Sequence, residues 1–325
     1  MTMMNRQTMK KLAVPLGLAF VLTLGAALAL GREKYEEKFE KTEALAKGGK
    51  VYLINVSGDI EIKSWKEDQV KIEALKVSEA SNSDKAKENA KEVTIEVTSE
   101  AGVVRIETKY PEHHGFWGVM NNNNNVSVSY KLWIPEKAAA DVKSVSGDVT
   151  LDCIHGGAVK VNSVSGNVNV LGAAGVEIKL VSGDITLENV MGDAYIKSVS
   201  GDIRATKVNG SVELESVSGD IELNDVAEAR TVTGKTVSGN ITYVGTIMPG
   251  GNYELKSHSG NVEMKIPSDS AFEFEATTFS GVIDSDFQIE VVGKISPKEI
   301  HGTVNKGGAR IRLGSFSGNI DLKKH

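Results

Sequence analysis

The sequence predicts an all-β protein: a parallel β-solenoid of about 18 residues and two strands per coil, preceded by a β-rich N-terminal capping region with one short helix. Three observations carry that expectation. First, Ser-Gly occurs ten times in 325 residues, and nine of the ten are followed by Asp or Asn. From residue 147 onward these glycines stand at 147, 166, 183, 201, 219, 239, 260, 281 and 318, in steps of 19, 17, 18, 18, 20, 21, 21 and 37. Second, a weaker half-repeat falls nine residues after a corner, at Gly192 in NVMGDAYIK and Gly210 in KVNGSVELE. Third, the segments between corners, such as DIRA at 202–205 and SVEL at 211–214, alternate in polarity. That is the period of a strand with one buried face. Stacking each unit on the last pairs every strand with its copy one coil away, at about 4.8 Å per coil. Eight to nine coils then make a rod of roughly 40 Å. A run of antiparallel hairpins is the competing arrangement.

Residues 1–31 read as a signal peptide or N-terminal anchor. Arg6, Lys10 and Lys11 form a basic start, and 12–30 carry no charge. Ala27-Leu28-Ala29 and Ala29-Leu30-Gly31 are small-x-small cleavage patterns. Left uncleaved, 12–30 is the one segment expected to touch a membrane. No cysteine follows the apolar run, so a lipid anchor is not expected. The expected location is therefore exported: periplasmic, cell-surface or membrane-anchored.

Residues 32–140 form the β-rich N-terminal region. Segments 50–65, 69–77, 92–98, 103–109 and 126–134 alternate like strands. SNSDKAKENAKE (81–92) reads as a short helix with Ser83 as its N-cap. A low-complexity loop, EHHGFWGVMNNNNN, interrupts the region at 112–125. Pro135 and EKAAA lead to a boundary near residue 140, where this region is expected to cap the first coil.

Residues 141–325 hold the repeats and a C-terminal capping coil. In SVSGD the valine is expected in the core, the second serine and the glycine at the corner, and the acid in the turn. The double step from Gly281 to Gly318 implies an extra coil without the Ser-Gly corner, turned by Gly293 and Gly302. The tail DLKKH would blunt the last strand.

Three stretches carry a resemblance. They are NVSGDIEIKSWKEDQVKIEA (55–74), the SVSG-D/N-V/I units from 144 onward, and GKISPKEIHGTVNKGGARIRLGSFSGNIDL (293–322). They are similar to the bacterial DUF4097-type family of β-strand repeat proteins, often labelled adhesins. The resemblance implies an exported or envelope-associated solenoid, with some relatives linked to envelope stress. It implies no catalytic residue.

No enzymatic constellation emerges from the residues. The corner pairs Ser146-Gly147, Ser165-Gly166, Ser182-Gly183, Ser200-Gly201, Ser218-Gly219, Ser238-Gly239, Ser259-Gly260, Ser280-Gly281 and Ser317-Gly318 form a ladder, whereas a nucleophile needs one base and one oxyanion site. They are read as structural. Cys153 is the single cysteine, excluding an internal disulfide, and reads as an inert buried thiol. Asp184, Asp202 and Asp220 repeat one position in successive coils, about 5 Å apart, so calcium is the candidate ligand that would relieve their repulsion. The calcium nonapeptide G-G-x-G-x-D is absent, and solvated side chains fanning outward are the simpler reading. No cofactor is expected. Phe116 and Trp117 in the loop are candidate partner contacts.

Removing residues 1–29 takes the net charge from −6 to −9, which disfavours nucleic acid as a partner. The leading expectation is a non-enzymatic envelope scaffold or adhesin-like surface whose partner is an envelope protein or extended polymer. The alternative is an envelope-stress accessory that engages a membrane partner or cationic peptide. A glycan-active enzyme would need paired acids in one groove.

Overall fold

The structure, a computed structural model, describes residues 32–111, 125–291 and 296–325. The signal or anchor segment, Phe116, Trp117 and Gly293 lie outside the described residues, as does the side chain of Cys153. Among the described residues the chain forms 25 strands and one α-helix, Ser83–Glu92. They build a two-faced β-solenoid that is not closed into a barrel.

In each coil one strand approaches the Ser-Gly corner and one leaves it. The approach face runs from Lys50–Ile54 to Ala139–Ser146, then through the second halves of Val149–Ser165 and Val168–Ser182. It continues with Ala194–Ser200, Val212–Ser218, Thr231–Ser238 and Asn252–Ser259, all parallel. The exit face begins with Ile60–Trp65 and follows the same order through Val262–Ile266. The parallel arrangement holds, and the antiparallel hairpin alternative does not describe the repeats. The stack runs through residue 140 without a break, because Ala139–Ser146 pairs with a strand on either side.

The exit strand buries its first residue. Ile60, Val149, Val168, Ile185, Ile203, Ile221, Ile241, Val262 and Ile320 form one register-matched column, each at most 1% exposed. The β-branched side chains of isoleucine and valine suit a pleated inner surface. Each contributes about 1.5–3 kcal/mol by leaving water.

The two ends correct the sequence reading. The double step before Gly318 holds no extra coil. The chain leaves Ile283–Ser285, forms Glu290–Val291 and Glu299–Val304, and lays the latter antiparallel on Phe272–Ser280. Gly302 sits in that antiparallel strand opposite Phe274 rather than at a coil corner. The chain then returns to insert its last coil between two earlier ones. Ala309–Ser317 pairs with both Asn252–Ser259 and Phe272–Ser280. Ile320–Lys324 pairs with Val262–Ile266 and, through Leu322, with Ile283–Ser285, so Asp321 and Leu322 of the tail DLKKH lie inside the sheet and not on an outer edge. Phe272, Phe274 and Phe287 plug the end with edge-to-face contacts at 5.3 and 6.2 Å.

At the other end, the coil containing Gly58 belongs to the same stack. It pairs with the coil containing Gly147 on one side. On its other side lie Val103–Lys109 and Asn125–Pro135, both parallel to it. The described residues therefore give ten Ser-Gly coils and one outer coil, more than the eight or nine expected. At about 4.8 Å each, the rod is roughly 50 Å long. Antiparallel Gln69–Ala80 and Glu33–Ala44 extend the exit face. The helix covers them, and its N-cap is Asn82, whose side chain accepts the Lys85 N–H at 2.8 Å. Ser83, expected to be the cap, is instead the first helical residue, and the cap lies one position earlier. Both residue types accept that bond, and Asn82 holds the extended backbone a cap requires.

The burial pattern gives a stability test. Ile203→Ala should cost about 2–4 kcal/mol by urea denaturation, while Val217→Ala, half exposed, should cost under about 1 kcal/mol. Equal costs would refute the assignment of inner and outer columns.

Candidate binding surface

The corner is the narrowest point of each coil. A Cβ on Gly201 would lie 2.0 Å from the Gly183 carbonyl oxygen, and one on Gly219 would lie 2.1 Å from that of Gly201. The corner glycine is thus required by close approach. The positive φ expected from sequence holds at Gly201 (φ 120°), whereas Gly318 has no left-handed φ and still meets the Gly260 carbonyl at 2.1 Å. Eight of the ten corner glycines donate their N–H to the neighbouring coil's serine carbonyl, as Gly201 does to Ser218 at 3.0 Å.

The Asp or Asn after the glycine bonds the next coil, where local turn bonding or free solvation was expected. Asp59 Oδ1 accepts the Asp148 N–H at 3.0 Å, and Asp148 Oδ1 accepts that of Asn167 at 2.8 Å. The chain of bonds continues through Asp184, Asp202, Asp220, Asn240, Asn261 and Asn319 at 2.7–2.9 and 3.0 Å. It ends where Asn319 Oδ1 accepts the Val282 N–H at 3.0 Å. Val282 breaks the D/N rule because it occupies the last rung. At the opposite end Ser129 Oγ accepts the Asp59 N–H at 3.3 Å.

The structure places Asp184, Asp202 and Asp220 on adjacent rungs. One oxygen of each is committed to a backbone N–H, and Asp202 Oδ2 meets Arg204 at 2.9 Å. Calcium takes six to eight oxygens around one centre, and this line of single oxygens does not supply them. Among the described residues no group of three His, Cys, Asp or Glu is arranged to hold a metal.

Sequence reasoning missed the inner serine. Two residues before the corner serine, Ser144, Ser163, Ser198, Ser216, Thr236, Ser257, Ser315 and Thr278 point inward. Ser257, Ser315 and Thr278 donate to the Gly239, Gly260 and Gly318 carbonyls at 2.8, 2.8 and 3.0 Å. Asn55 takes this place in the first coil and donates to Val128 O at 2.8 Å, deep beside Thr108 and Tyr130. Burial holds the Tyr130 hydroxyl well above its ordinary pKa, against the opposing Thr108 hydrogen bond. The signal was present as a hydroxyl three residues before most corner glycines.

With that serine inside, alternation turns the valine outward, correcting its assignment to the core. Val56, Val145, Val164, Val181, Val199, Val217 and Val237 are each 38–50% exposed. In stack order His258, Phe316 and Phe279 complete the column. Their rings stack at 4.8 Å, with Phe279 71% exposed at the end. The result is one exposed apolar ridge over ten rungs. Beside it, Lys143, Lys179, Lys197, Lys235 and Lys256 occupy a second column, interrupted by Asn162 and Glu215. A shallow groove of 470 Å³ runs between lysine stems and Val164, Val181 and Val199. A third column holds Lys160, Glu177, Tyr195 and Glu213. Glu177 lies 2.8 Å from Lys160 and 3.1 Å from Lys179. The hydrogen bond from Lys160 holds its carboxyl below the ordinary range, Lys179 adding to the effect.

The corner predicts that Asp202→Asn keeps the ladder, whereas Asp202→Leu orphans the Asp220 N–H and costs roughly 1–2 kcal/mol by chemical denaturation. Millimolar calcium should leave the melting temperature of the parent chain unchanged. A rise reversed by chelator would show that the committed oxygens still make a site.

The family model described as Toastrack DUF4097 matches residues 51–323. No curated protein matches the chain. Three crystal structures are similar to it. A "putative adhesin" from Bacteroides fragilis NCTC 9343 is 13% identical, with a TM-score of 0.43 over 88% of this chain and 96% of that one. A "putative cell adhesion protein" from Clostridium sporogenes ATCC 15579 is 12% identical, with a TM-score of 0.22 over 88% and 99%. A "putative lipid binding protein" from Parabacteroides distasonis ATCC 8503 is 15% identical, with a TM-score of 0.35 over 87% and 96%. The family match spans both the corner ladder and the inserted last coil, and the chain belongs to the Toastrack DUF4097 family.

Proposed function

We propose that this chain is an exported, non-enzymatic scaffold of the cell envelope that binds an extended polymer or envelope protein along its approach face. The observation that supports this most is the straightness of the outward columns. The same three positions recur rung after rung, presenting apolar, basic and mixed-charge rows at a fixed spacing of about 4.8 Å. A fixed spacing favours a ligand that is itself extended, because each added contact repeats the last. Two carboxylates of this face, Glu177 and Glu215, are drawn into ion pairs along the rows. That arrangement suits recognition better than acid–base work, which needs an acid and a base held free around one bond.

Co-sedimentation of the purified chain with isolated cell-wall material tests the proposal. Glu177→Lys with Glu213→Lys reverses the charge of the third column at outward positions. The double variant should lose binding by about tenfold, a change of about 1.4 kcal/mol. Unchanged binding would remove the approach face from the account. Release of new reducing ends from the wall material would refute the non-enzymatic reading, and recovery only in the cytoplasmic fraction would refute export.

A further inference from the structure

The apolar row of the approach face has a feature that the charged rows beside it lack. Its side chains are valine or phenylalanine on nine of the ten rungs, with His258 on the other, and the valines are about half exposed, a patch on the order of several hundred Å². Scattered surface valines need no explanation, but a continuous column does. We infer that the ridge is a self-association surface, on which a second copy of this chain packs with its stack pointing the same way. The ridge is part of the approach face, so a dimer formed here covers some of the surface proposed for the polymer, and the two readings are separated by measuring dimerisation without polymer.

Three arguments select a second copy. The first is period. Ridge residues of neighbouring rungs are flanked by register-paired serines, Ser198↔Ser216 and Ser200↔Ser218, so they repeat at the coil spacing of about 4.8 Å, and a ladder of small β-branched side chains packs best against another ladder of equal period. A lipid surface has no such period. The second is charge. Along each coil the chain runs from the lysine column, through the ridge, to the corner acid. A twofold axis parallel to the rod lays each lysine column over the partner's corner column. Lys143, Lys179 and Lys197 then oppose the partner's Asp148, Asp184 and Asp202, rung for rung. A twofold axis across the rod would set lysine against lysine. Lys235 and Lys256 oppose the uncharged Asn240 and Asn261, and at the Gly219 rung Glu215 faces the partner's Asp220, a like-charge contact that Lys197, 2.7 Å from Glu215, offsets only in part. The third argument is area. A strip about 45 Å long and three columns wide, roughly 14 Å, covers about 600 Å² on each copy. That is at the lower end of a stable interface. Phe279 and Phe316 add an aromatic anchor at one end, where both copies bring the same rings together.

Cross-linking with a short bismaleimide tests both the contact and its polarity, in a Cys153→Ser background of the full chain. Val145→Cys and Val237→Cys lie near opposite ends of the valine run. Each alone should yield cross-linked dimer at about ten times the level of the background protein, because equal rungs face each other. Cross-linking only when the two variants are mixed would overturn the parallel arrangement. No dimer from either, alone or mixed, would overturn the proposal. Val199→Lys with Val217→Lys should weaken the dimer by about 100-fold in sedimentation equilibrium while leaving the melting transition cooperative, since both sites are half exposed. A chain that stays monomeric and instead floats with phosphatidylglycerol vesicles through these valines would overturn self-association and give the ridge to lipid.

Discussion

Everything in this fold follows from one close contact: the carbonyl of a corner glycine sits where the next corner's Cβ would be. With backbones that near, the glycine N–H reaches the next serine carbonyl, and the Asp or Asn oxygen reaches the next corner N–H. The corner therefore fixes the register of both faces at once. A slip of one residue would put a side chain into a carbonyl and turn the Ile203 column outward. Register is usually secured by the core alone. Here it is secured twice, by apolar burial and by a polar ladder on the surface.

The stack and the chain follow different orders, and both departures occur at the ends. The coil of Gly58 is separated in sequence from its neighbour by strands that close the N-terminal end. At the other end an antiparallel strand and three phenylalanines close the last level, and the chain then returns one level inward. An open parallel end would offer unpaired backbone to any passing strand. The two ends meet that problem by changing strand direction, leaving Glu33–Ala44, dense in Glu and Lys, as one boundary.

The period, the two strands per coil and the corner role of Ser-Gly were legible because each is a local pattern repeated many times. The orientation of the valine was not. A four-residue corner hides the strand phase, and Ser198-Val199-Ser200 reads equally well with either neighbour inside. Burial of the hydroxyl decides it, bonded to a glycine carbonyl of another coil at Ser257, Ser315 and Thr278 but without a partner at Ser144, Ser198 and Ser216, and no short-range pattern displays that. The order of the last coils was illegible for a similar reason. The 37-residue step measures chain length, and length does not say which side of a coil the chain returns to. The Val282 exception held the clue, since the rung lacking a side-chain acceptor is the rung with no further corner stacked on it. The acids at 184, 202 and 220 were correctly seen as a ladder, but their partners are N–H groups that no spacing rule displays.

The inserted last coil also shapes how the molecule comes to be. Residues 272–285 emerge from the ribosome before 309–324, yet the later segment separates them from 252–266 and supplies their parallel neighbours. Growth of the stack by simple addition, one coil per 18 residues synthesised, must therefore stop at the Gly260 rung. The last two coils then form together, around a closure of longer range than any step before it. The final sixteen residues or so act as a keystone: the stack is complete one level beyond the segment that completes it.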